Sequence, residues 1–267
     1  MLREDSPLAL APDPQAERLG QRVRTVTLKL AKDAPLFPFE EARSHAGDQY
    51  RILKAKIALT RGDPRFFVVT SPESADGKSV TSINFAGAMA LKGDAQVILV
   101  DADFRWPSVA PQLGIDNGPG LAEVLNGSCP LLEAVVRFAQ IPNLYVLPAG
   151  HAVANPTEII DSQAWRDLCG KLRATFTHVV VDTPPAGLVA EYDLLQAQAD
   201  KVVLVARPDH TKRHAMNQAL IQIPKEKLLG VVLNYVPEWP LAKGAGYGYY
   251  HYQKYEAVKR PAAARRK

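Results

Sequence analysis

The chain has 267 residues, 47% of them apolar and 22% charged, a balance that suits one globular α/β domain with a sizeable core. The formal net charge is only +4 and gathers at Lys254, Lys259, Arg260, Arg265, Arg266 and Lys267. That argues against the broadly basic surface of a nucleic-acid binder and fits a solvated tail or an anionic membrane surface.

Two cysteines, Cys129 and Cys169, show no metal or redox spacing, so a reducing compartment is expected. No apolar run approaches the ~18 residues of a membrane span. Arg3, Glu4 and Asp5 stand where a signal peptide would begin to be apolar. The reading is cytoplasmic, with any membrane association made through a partner or the basic tail.

Taken in chain order, residues 1–44 mix charge, alanine and proline without periodicity and read as a flexible arm. From Asp48 to Leu59 the spacing of Tyr50, Leu53 and Ile57 predicts a helix. FFVVT (66–70) predicts a strand, 78–91 a helix, and QVILV (96–100) a second strand. Residues 121–139 read as helical pieces broken at Pro130, and NLYVL (143–147) as a strand. Asn155 predicts a helix start, with Pro156 at its first position and Glu158 in the capping-box place. HVVVD (178–182), KVVLVA (201–206) and LGVVLN (229–234) read as strands, with helices near 188–198 and 211–222. Short β-branched runs that alternate with helices predict an α/β fold: a mainly parallel sheet covered by helices on both faces. The domain boundaries expected are 45–236 for this domain and 237–267 for a flexible tyrosine-rich and basic tail.

TSPESADGKS, between the first of these strands and a helix, carries the latter half of a phosphate loop. Glu73, Ser74, Ala75, Asp76, Gly77, Lys78, Ser79 and Val80 are the candidate nucleotide-binding stretch. Gly77 lets the backbone approach a phosphate, and successive N–H groups with the helix N-terminus hold the anion. Lys78 suits the β- and γ-phosphates and Ser79 a magnesium ion. Pro72 occupies the place of the motif's usual first glycine. A chance Gly-Lys-Ser is the competing reading, and the strand–loop–helix setting argues against it.

ILVDADFR (98–105) puts Asp101 and Asp103 at the C-terminal end of a strand, the edge where open α/β sheets bind ligands. These carboxylates suit metal binding and proton acceptance; loop capping is the plainer alternative. Asp182 ends HVVVD in the same way and fits a magnesium-binding role. His210 and His214 stand four apart with no evident third ligand and read as ordinary solvated or packed residues.

TSPESADGKS, ILVDADFRWPS, VVVDTPP and GVVLN, with GLAEVLNG (120–127), LPAG (147–150) and NPTEII (155–160), resemble the bacterial tyrosine kinases, P-loop NTPases unrelated to the eukaryotic kinases. The resemblance spans about 48–236. It implies ATP and Mg2+ as cofactors, with Lys78 and Ser79 at phosphate and metal. Asp101 and Asp182 would hold the metal directly or through water. Lys78, Asp101 and Asp103 would be catalytic, either aspartate being the base, and Asn234 would face adenine. An oligomerisation motif would fall on Asp48, Arg51 and Lys54, where lysine lacks arginine's bidentate fork; a solvated helix face is the alternative.

The tyrosine cluster Tyr247, Tyr249, Tyr250, Tyr252 and Tyr255 would then be the phosphoacceptor, with a low-complexity tail or a stacking patch as the alternative. The implied setting is exopolysaccharide or capsule export. The partners would be further copies of the chain, a membrane chain-length-determinant protein as activator and a counteracting phosphatase. Partitioning and positioning ATPases share this fold but carry a signature lysine where this chain has Glu73. That reading, and a non-catalytic ATP-binding switch, are the alternatives.

Overall fold

The computed structural model describes residues 22–28, 35–36, 45–91 and 95–236. The elements in chain order are β1 (Arg24–Val26), α1 (His45–Ala58), β2 (Phe66–Thr70), α2 (Lys78–Ala90) and β3 (Val97–Asp101). Short helices α3 (Val109–Leu113), α4 (Leu121–Leu125) and α5 (Leu131–Ala134) lead to β4 (Val136–Phe138) and β5 (Leu144–Leu147). The chain continues through α6 (Pro156–Ile160), α7 (Gln163–Thr175), β6 (His178–Asp182), α8 (Ala190–Ala197), β7 (Lys201–Ala206), α9 (Arg213–Gln222) and β8 (Leu228–Leu233). The strands form a single sheet in the order β1-β4-β5-β3-β6-β2-β7-β8. Every neighbouring pair is parallel except β4 and β5.

Strands β2, β3 and β5 are buried along their whole length. Successive side chains point to opposite faces of a strand, so the apolar runs feed two cores. Phe66, Val68, Ile98, Val100, Val179 and Val181 pack with Trp165, Leu168 and Leu172 of α7 and Tyr192 and Leu195 of α8. Phe67, Val69, Val97, Leu99 and Val180 pack on the other face with Ile83, Phe85 and Met89 of α2 and Tyr50 and Ile57 of α1. Helix α2 lies between the sheet and α1, which explains its small-residue sequence INFAGAMA, every residue of which is buried. Among the described residues no helix is long and apolar enough to cross a membrane.

Two segments read otherwise from the sequence form strands. Residues 24–26, inside the stretch read as an arm, form the edge strand β1 on β4, and Val23, Leu28 and Leu36 are buried. Residues 136–138, read as the end of a helical stretch, form β4, with Val136 and Phe138 buried and Arg137 between them. The alternation of inward apolar and outward basic side chains has the period of a strand. Residues 1–21, 29–34, 37–44 and 237–267, including all five tyrosines of the cluster, lie outside the described residues.

GLAEVLNG and LPAG meet each other. Leu121 and Ala122 donate their N–H groups to the Pro148 and Ala149 carbonyls at 2.8 and 2.9 Å, and Glu123 Oε2 accepts the Gly120 N–H at 2.7 Å. A Cβ on Gly120 would lie 2.3 Å from the Pro148 oxygen and 2.4 Å from the Gly150 nitrogen, both backbone atoms. Neither can swing aside, so Gly120→Ala should cost roughly 1–3 kcal/mol of overpacking. Urea unfolding of the two proteins checks this; equal midpoints would mean that the two loops separate freely.

Candidate nucleotide and phosphoryl-transfer site

The site lies at the C-terminal ends of β2, β3 and β6, where Asp101 is the register partner of Asp182 and Val69 pairs with Asp182 on the other side. Parallel strands placed side by side therefore bring residues 70, 101 and 182 to one edge. The loop after β2 bends through Ala75 at φ 64° and Gly77 at φ 90°. Left-handed residues in such a loop can turn successive N–H groups toward one concavity, a nest for an anion. Helix α2 starts at Lys78, and its cap residue Gly77 offers no side-chain acceptor to the first-turn N–H groups. Such a helix start is suited to a phosphate.

The loop is tied down by Asp76, which is fully buried. Its carboxylate accepts the Glu73 N–H at 3.0 Å and the Thr211 hydroxyl at 2.7 Å, and lies 3.0 Å from His210 Nδ1. The Glu73 carboxylate turns toward the start of α9, accepting the Lys212 N–H at 2.7 Å. That hydrogen bond is the main reason its carboxyl is held below the usual range. Asn234 Nδ2 donates to the Asp76 carbonyl at 3.1 Å, so the end of β8 lies against the same loop. The sequence reading placed Glu73, Asp76 and Asn234 at the nucleotide. Here the Glu73 and Asp76 side chains hold the loop. His210, Thr211 and Lys212 were missed as its partners, and the pairing spans more than 130 residues, which no local pattern reveals. His210 also lies outside α9, whereas His214 lies within it, so the two do not share a helix face.

Lys78, Ser79, Asp103 and Asp182 come together. The Lys78 ammonium lies 2.8 Å from Asp103 Oδ2 and 3.7 Å from Asp182 Oδ2. Ser79 Oγ donates to Asp182 Oδ2 at 2.6 Å and Ser82 Oγ to Asp182 Oδ1 at 2.8 Å. Ser108 Oγ reaches Ser79 Oγ at 2.7 Å. Asp101, Asp103 and Asp182 are all buried.

The two aspartates of the DAD run do different things. Asp101 accepts three backbone N–H groups, from Asp103 at 3.2 Å and from Ser108 and Val109 at 3.1 Å each, and so caps α3. Asp103 Oδ1 accepts the Trp106 N–H at 3.0 Å, while Oδ2 meets the Lys78 ammonium and no backbone N–H.

Burial, and then the charge of Asp182, push the Asp101 carboxyl up to about 7, against the Val109 and Asp103 N–H groups and Lys78. Burial likewise raises Asp182, opposed first by Lys78. Burial alone would lower Lys78, but Asp182 and Asp103 together raise it. Three buried carboxylates against one ammonium leave the site in want of a cation.

The donor set fits magnesium. A hydroxyl and a carboxylate oxygen 2.6 Å apart are hard ligands. Among the described residues no group of three His, Cys, Asp or Glu side chains forms a protein-only cage. Magnesium characteristically takes one or two protein oxygens and completes its shell with phosphate and water.

The three residues read as an oligomerisation motif divide. Asp48 and Arg51 form an i,i+3 ion pair on α1. Lys54 Nζ donates to the Ala88 and Met89 carbonyls at 3.1 and 3.4 Å. It thereby meets the negative end of α2, an intramolecular role the sequence did not suggest.

No family model matches the sequence. The tyrosine-protein kinase YwqD of Bacillus subtilis is 32% identical over 214 residues, which cover 79% of this chain and 88% of the relative. The tyrosine-protein kinase ptk of Acinetobacter johnsonii is 29% identical over 80% of this chain, which spans only 30% of that longer protein. Among solved structures, the chimerical protein CapA2B2 superposes with a TM-score of 0.73 at 26% identity, over 84% of this chain and 100% of that one.

Proposed function

Because this chain belongs to the bacterial protein-tyrosine kinase family, we propose that it transfers the γ-phosphoryl group of ATP to its own C-terminal tyrosines, Tyr247, Tyr249, Tyr250, Tyr252 and Tyr255. The observation that carries this reading is the Lys78–Asp103 ion pair at the mouth of the phosphate loop. The ammonium belongs to phosphate binding and the carboxylate to the acceptor, and the two are in contact.

In this reading the loop backbone from Glu73 to Val80 cradles the β- and γ-phosphates. Lys78 turns from Asp103 toward them, offsetting charge as the bond to the leaving oxygen stretches. That turn frees Asp103 Oδ2, the carboxylate oxygen without a backbone donor, to accept the tyrosine proton. The phenolic oxygen bonds to phosphorus, the bond to the β–γ bridging oxygen breaks, and ADP leaves. Asp101, its oxygens engaged by three N–H groups, fixes the turn that carries Asp103. Ser79 and Asp182, with Asp101 through water, would hold Mg2+, which supplies positive charge to the phosphates. Asn234, held against the loop, borders the adenine.

The wider setting belongs to the same proposal: self-association through the Asp48–Arg51 face of α1, activation by a membrane chain-length-determinant protein, reversal by a phosphatase, and regulation of exopolysaccharide or capsule export from the cytoplasmic face. Replacing the five tyrosines with phenylalanine should remove phosphotyrosine from ATP-treated protein while leaving ATP affinity unchanged. Undiminished labelling of that variant would place the acceptor elsewhere.

A further inference from the structure

Trp106 is 75% exposed, although burying an indole is among the larger apolar gains open to a folding chain. The turn that presents it is anchored on both sides. The Trp106 N–H is held by Asp103 Oδ1 at 3.0 Å. The preceding Arg105 donates from Nη2 at 2.7 Å to Glu191 Oε1, a carboxylate on α8 that is only 2% exposed. Two residues on, Ser108 bonds to Ser79 Oγ and to Asp101 Oδ2. The indole therefore stands on a turn whose backbone is fixed by the site's own carboxylates. It stands three positions on from Asp103, about 11 Å along the chain at most.

Resting on the proposed tyrosine transfer, we infer that Trp106 is the docking platform for the tyrosine-rich acceptor segment of this chain, and that it stacks a tyrosine neighbouring the one being phosphorylated. The acceptor's own sequence fits. Tyr247, Tyr249, Tyr250, Tyr252 and Tyr255 stand one to three residues apart, and in an extended segment every second side chain points the same way about 6.6 Å on. When one phenol meets Asp103, a ring two residues away is within reach of the indole. Offset or edge-to-face aromatic pairing needs no particular register, so a ladder of tyrosines can step through the site. A lone tyrosine would lose this contact, which makes clustering itself the specificity signal.

The test uses the full chain and synthetic acceptor peptides. One carries the sequence of residues 245–256; the others keep a single central tyrosine flanked at every second position by phenylalanine or by alanine. Wild-type protein should show a KM about fivefold lower for the phenylalanine-flanked peptide than for the alanine-flanked one. Trp106→Ala should erase that preference, Trp106→Phe should restore part of it, and the KM for ATP should stay the same in all three proteins. An unchanged preference in Trp106→Ala overturns the proposal, as does a shift confined to the KM for ATP, which would assign the indole to the nucleotide.

Anisotropy of the same peptides, fluorescently labelled, separates this inference from the kinase reading. Trp106-dependent binding without transfer upholds the dock and removes the activity. Transfer with Trp106-independent binding upholds the activity and removes the dock.

Discussion

Replacing Lys78 with methionine is expected to lower tyrosine phosphorylation by about 10²–10³-fold, the scale seen when one preorganised charge-stabilising group is removed. The same change takes the ammonium from beside three buried carboxylates. Breaking a buried pair by deleting one partner typically costs about 3–5 kcal/mol. Here the cost should be smaller, because the Asp101 carboxyl already sits near 7 and a proton taken up there relieves the repulsion. Lys78→Arg separates the effects: it keeps the charge, and so the stability, but cannot reproduce the ammonium's fit to the phosphates. Thermal unfolding and phosphotyrosine immunoblots of the three proteins, each expressed without other kinases, check both halves. A folded Lys78→Met protein that still phosphorylates itself at the wild-type rate would remove Lys78 from the reaction.

Asn at Asp103 and Asn at Asp101 should part company. Asp103→Asn keeps an acceptor for the Trp106 N–H but loses the proton acceptor, so turnover should fall by about 10²–10⁴-fold, the usual contribution of a general base; its amide –NH2 would face the Lys78 ammonium, which can swing to Asp182, so the unfolding midpoint should change little. Asp101→Asn has one acceptor oxygen for N–H groups that now approach both carboxylate oxygens. An amide –NH2 would face at least one donor, a cost of about 1–3 kcal/mol for an unsatisfied buried group. Activity and stability should therefore fall together there. Full activity in Asp103→Asn would transfer the base to Asp101.

Much of this fold was legible because its strands are short, β-branched and buried on both faces, as in HVVVD and KVVLVA. Asn155 and Pro156 also begin a helix as expected, the Asn155 side chain accepting the Glu158 N–H. Helix α7 escaped notice although its signal was present: Ser162 caps it, accepting the Trp165 N–H, and Trp165, Leu168, Cys169 and Leu172 repeat at helical spacing. The edge strand β1 was hidden for a different reason. RTV is three residues long, and its meaning comes from pairing with β4 more than a hundred residues away.

At the site, the sequence places Lys78, Ser79, Asp101, Asp103 and Asp182 at strand ends, which suffices to bring them together once the sheet is parallel. It could not tell Asp101 from Asp103, because that difference lies in backbone donors supplied by residues 103, 108 and 109. Nor could it show that Lys54 turns inward to α2, since Lys and Arg on a helix face look alike until their carbonyl partners are known.

The fate of the γ-phosphate of ATP tests the central claim most directly. Phosphatase-stripped, purified protein is given γ-labelled ATP with magnesium, and label is followed both on protein tyrosine and as free phosphate. Label appearing on Tyr247–Tyr255, dependent on Lys78 and on Asp103, is the predicted result. Label released only as inorganic phosphate, at a rate that Asp103→Asn leaves unchanged, would contradict it and make the site that of an ATPase.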